Sequence, residues 1–166
     1  TIFKGYSMGA EGVTVGEVVF NTCTASYEEL LTDPTYYGQI VAQTYRLVGN
    51  RGMDSNGEKL RTTANGYIAR EWCDTPTDVR GGVTLDTYLK ERGIVGICGI
   101  DTRRLTRILR NNGYYNGAIT NTLGGINHLM ERIKIYSISG AVKAVTTQDT
   151  QRVTSENGNY EVAVMD

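Results

Sequence analysis

Hydrophobic and polar positions change their period several times along this chain. VTVGEVVF (13–20) and QIVAQTY (39–45) are rich in β-branched side chains and predict strands. GYIAREW (66–72) sets Ile68, Arg70 and Trp72 against Tyr67, Ala69 and Glu71, the alternation of a sheet with unlike faces. GIVGICGI (93–100) is almost wholly apolar or glycine, which predicts a strand covered on both sides. TIFKGYSMG at the start is strand-like; GAI (117–119) and AVKAV (141–145) predict shorter strands, and YEVAVMD (160–166) a last apolar one. Three stretches shift to the helical period. In TLDTYLKERG, Thr84 caps, Leu85, Tyr88 and Leu89 form one stripe, and Gly93 ends the helix. In DTRRLTRILRNNG, Asp101 caps, Leu105, Ile108 and Leu109 face inward, and Gly113 closes. At about 100° per residue, Arg103, Arg107 and Arg110 fall on the opposite face. INHLMERI carries a third stripe of Ile126, Leu129, Met130 and Ile133. Residues 50–65 are polar, rich in Gly and Asn, and follow neither period, so a loop is predicted. Strands interleaved with a minority of helices predict a mixed α/β (α+β) domain rather than a sandwich or bundle.

One corner concentrates hydroxyl groups. In VVFNTCTASYEELLTDPTYYGQIV (18–41), Ser26 and Glu29 fit a capping box, so a helix can begin at Tyr27. Asp33 precedes Pro34 and is pushed out of the helical conformation, so that helix ends near Thr32. At under two turns it cannot stand alone and must rest on Leu30 and Leu31 packing against the strands. Pro34 and Thr35 then form a rigid turn with an outward hydroxyl. Two readings stay open on these residues: a crossover needing polar turn chemistry, or a Thr35 hydroxyl offered to something outside the domain.

Composition narrows the classes. With 166 residues, 40% hydrophobic and 21% charged, the chain suits one globular domain. A net charge of -1 argues against a general nucleic-acid binder. No apolar stretch approaches membrane-spanning length, so no membrane partner is expected. Cys23, Cys73 and Cys98 are odd in number and widely spaced, which disfavours disulfide and zinc frameworks and fits reduced thiols in the cytoplasm. Cys98 reads as a small hydrophobe inside a strand, and His128, the single histidine, as a surface residue of a helix. A nucleophile–base pair of Cys98 and His128 is the enzymatic alternative. The arginine face could grip a phosphate or a partner's carboxylates, or simply be solvated. TLGGIN lacks the Lys and Ser/Thr of a phosphate-binding loop and reads as a turn. Both ends look cut, and the final apolar strand is expected to belong to a following domain.

The order of segments carries a resemblance. GEVVFNT, YEELLTDPTYYGQIV, LVGNRG, ARE, LDTYLKERGIVGICGIDTRRLTRILRNNGYYNGAI and finally AVTT and YEVAVMD closely resemble the small subunit of glutamine-dependent carbamoyl phosphate synthetase. The resemblance covers essentially the whole chain but only that subunit's N-terminal domain. Its most specific pieces are the block from FNT (20–22) to TDP (32–34) and GIDTRRLTRILR. It implies a layered β/β/α domain of the swivelling type over 1–145, then a linker and the first strand of a missing class I glutamine amidotransferase domain over 146–166. In that family the small subunit hydrolyses glutamine and passes ammonia to a large subunit. The large subunit makes carbamoyl phosphate from bicarbonate and ATP, for arginine and pyrimidine biosynthesis. The nucleophilic cysteine and its His and Glu partners lie in the second domain. The resemblance therefore implies no catalytic triad and no cofactor in this segment, with the large subunit, its own glutaminase domain and glutamine as partners.

Residue by residue, Thr35 matches the hydroxyl residue after TDP that meets glutamine; the family usually has Ser, and the extra methyl stiffens χ1. It is expected as one substrate-facing donor. Ala25-Ser26-Tyr27 stands where Thr-Gly-Tyr is common, and the family's strand ahead of TIFKG is missing. Arg103, Arg107, Arg110 and the 50–65 loop are the candidates for the subunit joint. A stand-alone protein-interaction module is the non-enzymatic alternative.

Overall fold

The β-branched runs assemble into one curled sheet. The computed structural model describes residues 1–24, 27–53, 62–77, 82–122, 124–150, 152, 160 and 162–164. In chain order the strands are β1 (Tyr6–Gly9), β2 (Val13–Asn21), β3 (Gln39–Gln43), β4 (Leu47–Val48), β5 (Gly66–Ile68), β6 (Glu71–Trp72), β7 (Val95–Cys98) and β8 (Tyr115–Thr120). The helices are α1 (Tyr27–Thr32), α2 (Leu85–Glu91), α3 (Thr102–Asn112), α4 (Ile126–Ile135) and α5 (Ala141–Val145), with a single 3₁₀ turn at Pro34–Tyr36. The main sheet runs β1-β7-β5-β3-β2-β8. Its four inner strands are parallel, and β1 and β8 close it antiparallel at the edges. β4 and β6 pair in a separate two-stranded sheet.

The pleat sorts the core into two layers. Val41 lies beside Tyr67 in register, and both, with Ala69 and Cys98, join Met8, Leu30, Leu31, Leu85 and Leu89 on one face. That face is covered by α1, α2 and, through buried Val48, the small sheet. Ile40, Ala42, Ile68 and Val95 point the other way, onto Leu105 and Leu109 of α3. Inner parallel strands are thus buried on both faces, which explains why β7 reads as apolar throughout. The mixed α/β class is as expected, with a second, smaller sheet and helices layered on the first.

Local chemistry sets the helix ends. Thr84 Oγ1 accepts from Thr87 N at 3.2 Å, and Asp101 Oδ1 from Arg104 N at 2.9 Å, so both predicted caps form. Gly113 closes α3 at φ 83, a backbone that a Cβ disfavours.

Several expectations need correction. AVKAV is helix α5, not a strand: left-handed Gly140 turns the chain into it, and its valines lie largely exposed instead of pairing with a sheet edge. GYIAREW is not one strand; Ala69 N still donates to Ile97 O at 3.0 Å, after which β6 leaves to pair with β4. In α4 only Leu129 and Ile133 are half-buried, while Ile126 and Met130 are exposed, because the helix packs along β8 and β2 by one edge. Tyr160 and 162–164 take no regular form; the rest of YEVAVMD lies outside the described residues. So do Ser26, hence the proposed capping box, and residues 54–61 of the polar loop.

Candidate functional site

The Thr35 corner is built from its own sequence outward. Pro34 has no N–H and cannot continue α1, so the chain tightens into one 3₁₀ turn. Asp33 caps that turn: its Oδ1 accepts from Thr35 N at 2.8 Å and from Thr35 Oγ1 at 2.7 Å. The Asp33 carbonyl accepts from Thr63 Oγ1 at 2.7 Å, and Tyr36 Oη accepts from Asn21 Nδ2 at 2.7 Å. Behind the turn, Gly38 sits at φ +75, where an added Cβ would meet Tyr136 Oη at 2.9 Å. Tyr136 Oη in turn donates to the Gly38 carbonyl at 2.5 Å and accepts from Asn65 Nδ2 at 3.1 Å. Burial pushes the Tyr136 phenol up, and the Asn65 hydrogen bond works against that. Tyr27, Leu30 and Leu31 anchor α1 just ahead, and Tyr27 Oη donates to Gly52 O at 2.8 Å.

Thr35 itself is exposed, at the amino end of β3. Its hydroxyl hydrogen is committed to Asp33, so what it offers outward is an oxygen lone pair. The sequence suggested a donor; the fixed geometry makes an acceptor.

The arginines of α3 lie at the other end of the parallel strands. Arg103, Arg107 and Arg110 are exposed, and with Arg70 they line a cavity of about 430 Å³ shared with Thr22, Thr44, Thr102 and Thr106. Thr22 and Thr44 follow the carboxyl ends of β2 and β3, Arg70 follows β5, and Thr102 begins α3. The four guanidinium groups make no ion pair among the described residues; Arg110 lies 5.9 Å from the Phe20 ring centre. A second cavity of about 660 Å³ is lined by Thr14, Asn65, Arg92, Arg132 and Tyr136.

Cys98 and His128 are not brought together as a reactive pair. Cys98 is buried in β7, its Sγ donating to Tyr6 O at 3.7 Å, and burial pushes the thiol up. His128 is exposed on α4, which packs on β8 and β2 rather than β7. Cys23, by contrast, is exposed. A thiol reagent at neutral pH should therefore modify Cys23 within the time that leaves Cys98 intact, as read by peptide mass spectrometry; equal rates would contradict the burial. Among the described residues no group of three or more His, Cys, Asp or Glu could hold a metal ion, and no helix is long and apolar enough to cross a membrane.

Sequence reasoning missed Asp33 as the group that orients Thr35, Tyr136 as the brace behind the turn, and Arg70 as the fourth arginine. Asp33 had a local signal, an Asp one residue before Pro at a cap position. Arg70 and Tyr136 had none, since only the fold brings them to these sites.

Comparison with known proteins points one way. Residues 1–119 match the family described as carbamoyl-phosphate synthase small chain, CPSase domain. The carbamoyl phosphate synthase small chain of Clostridium perfringens is 40% identical over 166 residues, covering 99% of this chain and 47% of that protein. The small chain of Fusobacterium nucleatum is 44% identical over 135 residues, 81% of this chain and 38% of its own length. That of Bacillus anthracis is 41% identical over 150 residues, covering 90% and 41%. The chain spans less than half the length of these relatives.

Proposed function

This chain belongs to the carbamoyl-phosphate synthase small-chain family, and we propose that it is the supporting, non-catalytic part of a glutamine-hydrolysing subunit. In this reading a second domain of the same protein, beginning within residues 146–166, carries the nucleophile and its base. It releases ammonia from glutamine and passes it to a large subunit, which makes carbamoyl phosphate in the cytoplasm. Residues 1–145 supply one contact to glutamine and surfaces for docking. On their own they turn over no substrate.

The observation that carries this reading is the fixed, outward oxygen of Thr35. A hydroxyl spent only on turn formation would need no brace beyond Asp33, yet this turn is also tied to Thr63, Asn21 and, through Gly38, to Tyr136. Such rigidity suits a group that must meet a ligand held by another domain. With its hydrogen on Asp33, Thr35 Oγ1 is set to accept from a glutamine N–H. The β-branched methyl restricts χ1 and helps hold that orientation. The apolar side chains left exposed on α4 and α5 (Ile126, Met130, Ile135 and Val142) suit coverage by the rest of the small chain. The exposed Arg103, Arg107 and Arg110 are the surface assigned to the large subunit.

The test uses the full small chain assembled with its large subunit. Thr35→Ala should raise the KM for glutamine by about fivefold, the loss of roughly one hydrogen bond. Thr35→Ser should keep most of the activity, and Asp33→Ala should follow Thr35→Ala because the oxygen loses its orientation. Unchanged KM and kcat in Thr35→Ala would reduce this corner to a turn.

A further inference from the structure

We infer that the cavity between Arg70, Arg103, Arg107 and Arg110 binds a phosphate group, free or carried by a small organic molecule. This goes beyond the docking role given to the arginine face above, and it concerns the recess rather than the outer surface.

The charge distribution comes first. Arg70 and the three arginines of α3 belong to separate segments, and the fold brings them around one recess whose lining holds no carboxylate. None is paired to an acid among the described residues. Like charges gathered without counter-charge repel one another, and a bound anion relieves that repulsion. Asp101 stands at the start of α3, but its Oδ1 is turned to the helix backbone at Arg104 N and does not line the cavity. The helix end is therefore already capped, and attraction for an anion comes from the side chains.

Hydroxyl chemistry adds to it. Thr44 Oγ1 donates to Asn21 O and Thr106 Oγ1 to Thr102 O, so their hydrogens are spent. The hydroxyls of Thr22 and Thr102 have no hydrogen-bond partner among the described residues, and both residues line the cavity. Thr102 is only 2% exposed as a whole residue, and its hydroxyl is open to the recess rather than sealed in the core. Four guanidinium forks and two free O–H groups outnumber what a single carboxylate can accept. A phosphate monoester brings three terminal oxygens and nearly two charges, and guanidinium forks match it in pairs.

Topology agrees. The recess lies past the carboxyl ends of β2, β3 and β5, where the loops and the following helix of a parallel sheet splay to leave a crevice. At about 430 Å³ it lies within the size range of small-ligand sites.

Isothermal titration of the full small chain at low ionic strength, with inorganic phosphate and with adenosine monophosphate as probes, tests this. Saturable binding is expected. Arg107→Gln should weaken it at least about tenfold and Arg103→Gln/Arg107→Gln further, as charge-assisted hydrogen bonds are lost. Lys143→Gln, on α5, should leave it unchanged. Tighter binding of the nucleotide would mark an organic phosphate as the ligand; equal binding would mark free phosphate. No saturable binding, or binding unaltered in Arg103→Gln/Arg107→Gln, overturns the inference. If that variant instead loses the large subunit while the wild type binds neither probe, the docking role stands and the phosphate site falls.

Discussion

Replacing Leu31 by Ala is expected to destabilise the 166-residue chain by about 3 kcal/mol, read as a lower denaturant midpoint at unchanged slope. Leu31 is fully buried among Tyr27, Leu30, Val41, Val48 and Tyr67. Its loss removes apolar contact area and leaves a void that the sheet beneath cannot close, because Val41 and Tyr67 are fixed by the parallel ladder. The helix that carries Leu31 is six residues long, too short to persist without that packing. α1 ends directly at Asp33, so a loosened helix also loosens the cap on the Thr35 turn. The effect of Thr35→Ala on glutamine use should accordingly shrink in a Leu31→Ala background, the less-than-additive result of coupled sites. A cost under about 1 kcal/mol would show that α1 is held by something other than its apolar face.

The features legible in the sequence share one property: their cause is local. Thr84 and Asp101 were readable as caps because capping is decided within four residues, and β7 because burial on both faces leaves almost no polar position. The Leu30–Leu31 anchor and the outward Thr35 followed from a helix too short to survive alone, and the proposal that Thr35 meets glutamine came only from family resemblance. What stayed hidden was set by distant parts of the chain. AVKAV carries valines suited to a strand, and a run of five cannot separate strand from helix by period; left-handed Gly140, which turns the chain into the helix, decides it. The α4 stripe is real in the pattern, but Ile126 and Met130 find no surface within these residues to bury them. Arg70 could not be joined to Arg103, Arg107 and Arg110 without the parallel register that sets β5 two places from β2. The direction of the Thr35 hydroxyl depended on Asp33 Oδ1 accepting two bonds, which residue types alone do not specify.

Tyr67→Phe is expected to cost about 2 kcal/mol at neutral pH, and its cost should fall as the solution is made alkaline. Tyr67 and Gln43 are both fully buried, and the Tyr67 phenol donates to Gln43 Oε1 inside the core. Removing the phenol oxygen strands the Gln43 carbonyl, whose amide end has only a 3.4 Å bond to Cys23 O. Burial, aided slightly by Tyr27, pushes the Tyr67 phenol far above its ordinary value of 10.0. Below that value both folded and unfolded chains hold the proton, and the hydrogen bond contributes in full. Above it the unfolded chain releases the proton while the folded one keeps it, so wild-type stability drops by about 1.4 kcal/mol per pH unit from this group. Buried Tyr27 adds to the same alkaline loss in both proteins. The variant lacks the Tyr67 contribution, so the two stability curves should converge by most of 2 kcal/mol between about pH 10 and pH 11.5. Parallel curves across that window would mean that Tyr67 ionises as readily in the folded chain as in the unfolded one, and that the Gln43 bond does not hold its proton.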